Sequence, residues 1–153
     1  MRRYETVFII RPNAGEEEIN RVINYVSEII TADGGTIIET NRWGLKKLAY
    51  LIKKESMGYY VLCDFASVPA SVAEIERRYR IDDAVIKFMT LKIADDINAE
   101  GALQAVDAVN DRVTSEEAAR QEAEDDDDDD DDVDDDDVDD DDDDDESKEK
   151  NNR

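Results

Sequence analysis

Between Glu124 and Lys150 the chain has only two apolar side chains, Val133 and Val138, among long runs of aspartate. Carboxylates at that density cannot be packed, because two valines return far less free energy than burying the charges would cost. Residues 124–153 are therefore expected to stay disordered, and any fold has to be built from what precedes them. The same partition accounts for the overall charge of −24. Residues 1–98 carry 14 Lys/Arg against 15 Asp/Glu, whereas 99–153 carry 5 against 28. The foldable part is nearly neutral and free to present a basic face.

Hydrophobic periodicity divides that part into clear elements. Tyr4–Ile10 is β-branched and aromatic and stops at Arg11-Pro12-Asn13, which predicts a strand. Asn13-Ala14-Gly15-Glu16 has the spacing of a capping box. Ile19, Val22, Ile23, Val26, Ile29 and Ile30 then recur every three or four residues, the stripe of an amphipathic helix. Asp33-Gly34-Gly35 ends it, since glycine adopts the left-handed helix terminus without steric penalty. Thr36–Arg42 opens a second strand and Met57–Phe65 forms a third. The long segment between them is expected to be a projecting hairpin with its turn near Lys53–Ser56. Pro69 suits a first helical turn. Ser71 and Glu74 suggest a second capping box, Val72, Ile75 and Tyr79 a shorter stripe, and Arg77-Arg78-Tyr79-Arg80 a cationic helix end. After the Asp82-Asp83 turn, Val85–Ile93 is the last strand.

The order strand, helix, strand, strand, helix, strand predicts an α+β, ferredoxin-like split βαβ fold: a four-stranded antiparallel sheet with two helices on one face. Residues 1–95 form this domain. Residues 96–123 are Ala-rich, with Leu103, Val106, Val109 and Val113 at helical spacing, and are expected to be weakly helical or disordered. Residues 124–153 form the Asp-rich tail.

Composition narrows the function. The chain has no histidine, the commonest general base near neutral pH, and it has neither a nucleophile elbow nor a phosphate-cradling Gly-rich loop. No catalytic residue, cofactor or small-molecule substrate is expected. Cys63 is alone, as suits a reducing cytoplasm, and reads as a small buried hydrophobe on a strand. The aspartate runs lack the glycine turn and terminal glutamate of a calcium-binding loop, so no metal site is expected. No apolar run approaches the length needed to span or be exported through a membrane.

The split βαβ order is shared by RNA-recognition motifs, whose third strand reads bases with alternate aromatics after a basic residue and glycine. Gly58-Tyr59 begins that pattern. It then departs, with Met57 in the basic position, Tyr60 in the small one and Asp64 in an aromatic one. The alternative is recognition of folded RNA by shape and charge. Two lysine pairs, Lys46-Lys47 and Lys53-Lys54, lie on the expected hairpin beside Trp43 and Tyr50, and Arg2 and Arg3 open the first strand. Lysine pairs also commonly do no more than solubilise a hairpin tip.

The run Met1-Arg2-Arg3-Tyr4-Glu5-Thr6-Val7-Phe8-Ile9-Ile10-Arg11-Pro12-Asn13 closely resembles the opening of the bacterial small-subunit ribosomal protein six family. So do Trp43-Gly44-Leu45-Lys46-Lys47-Leu48-Ala49-Tyr50, Ile52-Lys53-Lys54 and Gly58-Tyr59-Tyr60-Val61-Leu62. The resemblance covers about residues 1–93. It departs at Leu51, where the family usually has proline after Ala-Tyr. The acidic tail lies outside the shared core.

This resemblance implies a cytoplasmic, ribosome-associated structural component. Its partners would be the central domain of small-subunit ribosomal RNA and ribosomal protein eighteen. Arg2, Arg3, Lys46, Lys47, Tyr50, Lys53 and Lys54 are the expected RNA contacts, positioning the protein on phosphates and sugars rather than reading bases. Arg77, Arg78, Arg80, Lys87 and Lys92 rank second, some being expected to pair with Glu74, Glu76 or Asp82. Aromatic residues on the sheet face away from the helices, Tyr4 or Tyr60 according to register, are the expected protein-docking patch.

Overall fold

A computed structural model describes residues 1–125. The expectations for the aspartate tail lie outside the described residues. The element order is β1 (Arg2–Ile10), α1 (Glu16–Ala32), β2 (Thr36–Ile52), β3 (Glu55–Ser67), α2 (Pro69–Ile81), β4 (Val85–Ala94) and α3 (Ala99–Asp125). Met1–Glu117 form one compact unit, and a second begins at Ala118. The strands make one antiparallel sheet in the order β2-β3-β1-β4, the expected split βαβ topology.

Alternation along the two central strands divides the molecule. Tyr4, Thr6, Phe8 and Ile10 of β1 are buried, and their partners on β3 are Phe65, Cys63, Val61 and Tyr59. Ile19, Val22, Tyr25, Val26 and Ile30 of α1 and Ile75 and Tyr79 of α2 close over this face as one core. Each fully buried aliphatic or phenyl group there contributes about 1.5–3 kcal/mol relative to exposure. Tyr4 therefore belongs to the core, while Tyr60, paired with Ile9, lies on the opposite face. Cys63 is buried beside the Thr40 hydroxyl, and burial pushes its thiol up to about 12.

The N-caps of the first two helices differ from expectation. α1 begins at Glu16 with Gly15 as N-cap, α2 begins at Pro69 with Val68 as N-cap, and neither has a side-chain cap. Asn13 lies in the preceding turn. Ser71 is buried, sharing a 2.7 Å hydroxyl contact with Ser67 and donating to Asp33 at 2.6 Å, so tertiary partners claim the group that a capping box would use. The glycine stop behaves as anticipated. Gly34 has φ +71°, and the Gly35 amide donates to the Ile30 carbonyl at 2.9 Å.

The segment from Ala99 is helical, a third helix on the face opposite α1 and α2. Its contact stripe is Ala102, Ala105, Val106 and Val109 against Ile38 and Ala66. Leu103 and Val113, which were expected to share that stripe, are 58% and 42% exposed. Asn98 Oδ1 accepts the Gly101 amide at 2.7 Å, the Ile97 amide donates to Met1 O at 2.8 Å, and Arg112 donates to both Glu39 carboxylate oxygens at 3.0 Å.

Two outcomes check this packing. A Cβ on Gly58 would overlap Ile9 Cγ2 and touch Leu48 Cδ2 at 3.4 Å, so Gly58→Ala should lower stability by about 1–3 kcal/mol in urea unfolding. Ala102→Glu places a carboxylate in the seam under α3. It should reduce the helical circular dichroism signal while leaving the main unfolding transition in place, because a helix deprived of its packed face is marginal in water.

Candidate nucleic-acid interface

β1 ends opposite Tyr59, so the β2–β3 arm continues past it without a neighbour. Gly44, at φ +79° where the β2–β3 register shifts, allows a bulge that re-aims the arm. A second irregularity lies between Lys47 and Ile52. The arm then leans onto the sheet: Leu48 is buried against Ile9 and Ile86, with Ile52 and Tyr60 beside it. This cluster ties the backbone of the hairpin to β1 and β4.

Ile52 pairs with Glu55, leaving Lys53 and Lys54 as a two-residue loop with φ +48° and +69°. Positive φ at both positions is the requirement of a type I′ hairpin turn, where Asn-Gly is the comfortable pair. Two lysines there are strained, by roughly 1 kcal/mol each on the general penalty for left-handed backbone. Strain of this kind points toward a role for the side chains rather than for the turn.

Lys46 and Lys47 pair with Gly58 and Met57 and, as successive strand residues, point to opposite faces. Both are exposed, as is Lys54, and none of the three has an ion pair among the described residues. Lys53 Nζ donates to the Val85 carbonyl at 3.2 Å. Lys87 Nζ lies 5.0 Å from the centre of the Tyr50 ring and donates to its hydroxyl.

The remaining cations separate by partner. Arg3 grips Asp64 through two hydrogen bonds of 3.1 and 2.6 Å, whereas Arg2 is exposed. Lys92 pairs with Asp95, whose carboxyl is held below its usual range chiefly by that contact and, less strongly, by Arg2. Arg77 and Arg78 share Glu74, and Arg78 also lies 5.5 Å over the Tyr25 ring. Arg80 pairs with Glu76 at 3.1 Å and sits 5.6 Å over the Phe88 ring. Asp82 takes Arg21 instead, through two bonds of 2.9 and 3.0 Å. Arg21 is on α1, and no local spacing signalled that pairing.

The face of the sheet away from α1 and α2 is only partly covered, by α3 at one corner and by the leaning hairpin at another. Trp43 stacks on Tyr60, with ring centres 6.1 Å apart and planes 17° from parallel. Val7 and Leu62 are half-buried near them, and Met89 and Leu91 of β4 are exposed. On β3 this face presents Tyr60, Leu62 and the Arg3-bound Asp64, not a row of aromatics for stacking bases. Among the described residues no cluster of three or more metal-ligating side chains occurs, and no helix is long and apolar enough to cross a membrane.

Replacing Lys53-Lys54 by Asn-Gly should relieve the turn and raise stability by about 1 kcal/mol, read as a higher urea midpoint. An unchanged or lower midpoint would show that the lysine contacts outweigh the backbone strain.

Comparison with known proteins gives a consistent result. Residues 3–92 match the family described as Ribosomal protein S6. A small ribosomal subunit protein bS6 from Desulfotalea psychrophila is 48% identical over 126 residues, covering 77% of this chain and 79% of that protein. The bS6 protein of Helicobacter pylori is 39% identical over 110 residues, covering 72% of this chain and 78% of its relative. The crystal structure of 30S ribosomal protein S6 from Thermotoga maritima superposes with a TM-score of 0.56 at 36% identity, covering 60% of this chain and 86% of that one.

Proposed function

The chain belongs to the ribosomal protein S6 family, and on that premise we propose that it is a structural component of the small ribosomal subunit that holds the central domain of small-subunit ribosomal RNA jointly with ribosomal protein eighteen. The observation that carries this reading is the extent of the family match. It spans the sheet, both covering helices and the whole basic hairpin. The protein would act in the cytoplasm, as part of the ribosome and without catalysis.

The RNA side of this proposal is the hairpin arm and the start of β1. Lys46, Lys47 and Lys54 extend into solvent without an ion pair among the described residues, so engaging a phosphate breaks no salt bridge. Each phosphate neutralised releases condensed counterions and adds a salt-dependent increment to binding. Arg2 would add a contact from β1, and Tyr50 with Lys53 a contact from the tip. Arg3 would contribute through whichever donors Asp64 leaves available. Arg77, Arg78, Arg80 and Lys92, each already paired with a carboxylate, would be weaker contacts.

The protein side is the uncovered part of the sheet. Trp43, Tyr60, Val7, Leu62, Met89 and Leu91 supply an apolar surface with two large rings, the composition of an interface core. Two modest surfaces joined in one body gain from effective concentration, so the protein partner should strengthen the hold on RNA.

The test combines two measurements. The full chain should co-sediment with small subunits through high salt. In filter binding to central-domain RNA with the partner protein present, the Lys46/Lys47/Lys53/Lys54→Ala variant should bind about tenfold or more weakly, with a shallower salt dependence. Equal affinity and slope would remove the hairpin from the RNA surface, and loss of the wild-type chain in high salt would count against a structural place in the subunit.

A further inference from the structure

On the sheet face away from α1 and α2, strand register sets three carboxylates in a row. Glu5 of β1 lies opposite Asp64 of β3, and Asp64 lies opposite Glu39 of β2. They edge a groove of ≈ 390 Å³ that Leu62 and Trp43 of the sheet and Val109 and Arg112 of α3 also line. We propose that this groove receives one arginine side chain of the protein partner, its guanidinium pairing with Glu5 beside the Trp43 ring. The inference rests on the reading of this open sheet face as the protein-docking side. It goes further by naming the chemistry of the partner's anchor and a charged site that the apolar surface does not include.

The groove is one cation short. Arg3 donates to both oxygens of Asp64, at 3.1 and 2.6 Å, and Arg112 donates to both oxygens of Glu39 at 3.0 Å. Asn41 adds a 3.2 Å bond to Glu39. Glu5 is half-buried and has no hydrogen bond or ion pair among the described residues. Arg3, two residues earlier on the same face, is committed to Asp64, the main influence raising its pKa, and Glu5 is the least. Like charges directly opposite each other on neighbouring strands are destabilising, so Glu5 and Asp64 repel in the free chain. A cation arriving with the partner relieves that repulsion.

The rest of the lining selects arginine. Trp43 is 42% exposed, and its ring is held by the stack on Tyr60. A planar guanidinium stacks on an indole while pairing with a carboxylate through two parallel bonds, whereas an ammonium is a strongly hydrated point charge. Pockets for small ligands begin at about 300 Å³, so this volume suits one long side chain rather than a packed helix. Three carboxylates against two arginines repel phosphate, which excludes RNA as the occupant. Among the described residues no acidic group is arranged to hold a metal ion.

The experiment uses the full chain and purified ribosomal protein eighteen, with binding followed by calorimetry over a range of salt. Glu5→Gln should weaken binding about tenfold and flatten its salt dependence. The same variant should unfold in urea at or above the wild-type midpoint, because it removes a repulsion. A lowered midpoint would mark Glu5 as a structural residue and overturn the proposal. Each arginine and lysine of the partner is then replaced by glutamine in turn. One arginine should be non-additive with Glu5→Gln, the two changes together losing little more than either alone. Coupling to a lysine instead, or additivity throughout, would overturn the arginine seat.

Wild-type affinity and salt dependence in Glu5→Gln, with binding weakened by Met89→Ser/Leu91→Ser, would overturn the groove and leave the docking face intact. Absence of binding by the wild-type chain would overturn both. A loss in Glu5→Gln confined to RNA binding without the partner would assign the groove to RNA and overturn the proposal.

Discussion

The alternation of β1 is the constraint on which the rest of the molecule depends. This strand lies between β3 and β4, and its side chains alternate between the helix-covered face and the opposite face of the sheet. Tyr4, Thr6, Phe8 and Ile10 face the helices and set the core. Arg3 and Ile9 face the other way, where Arg3 holds Asp64 and Ile9 receives Leu48 from the hairpin. A slip of one residue would exchange the two sets, exposing the core residues and burying a charge. The helical core and the seating of the basic arm are consequences of the same register.

The hairpin is a positioned element rather than a loose appendage. Two-stranded arms are marginal by themselves in water. This one gains support where Leu48 and Ile52 pack on Ile9 and Ile86, and where Gly58 lets the backbone pass close to Ile9. Leu51, in the place where the family usually has proline, is 67% exposed and takes no part in that support. Under the proposed role, placing lysines on an anchored arm would reduce the entropy lost on meeting a fixed array of phosphates.

Much of the fold was legible because its signals are local. Period-two runs, a three-four stripe and Gly34-Gly35 each announce themselves within a few residues. The misreadings occurred where a distant group intervenes. Ser71 looked like part of a capping box, but Ser67 and Asp33 claim its hydroxyl. Helical spacing places Leu103, Val106, Val109 and Val113 on one face of the third helix. Its seat on Ile38 and Ala66 takes Val106 and Val109 together with Ala102 and Ala105 and leaves Leu103 and Val113 exposed, because propensity carries no information about the surface a helix will meet. The lysine pairs were visible as candidates, whereas the partners that distinguish Lys53 from Lys46 were not.

Sequence alone determined the identity and order of the first six elements, the neutral body beside an acidic tail, and the basic hairpin, because periodicity, glycine placement and charge are properties of neighbouring residues. The tertiary structure decided which tyrosine is core and which is surface, and which arginines are spent on distant carboxylates. Those outcomes depend on strand register and on the lean of an arm across the sheet. The Arg3–Asp64 and Arg21–Asp82 pairs each join groups 61 residues apart, a distance over which no sequence pattern carries geometric information.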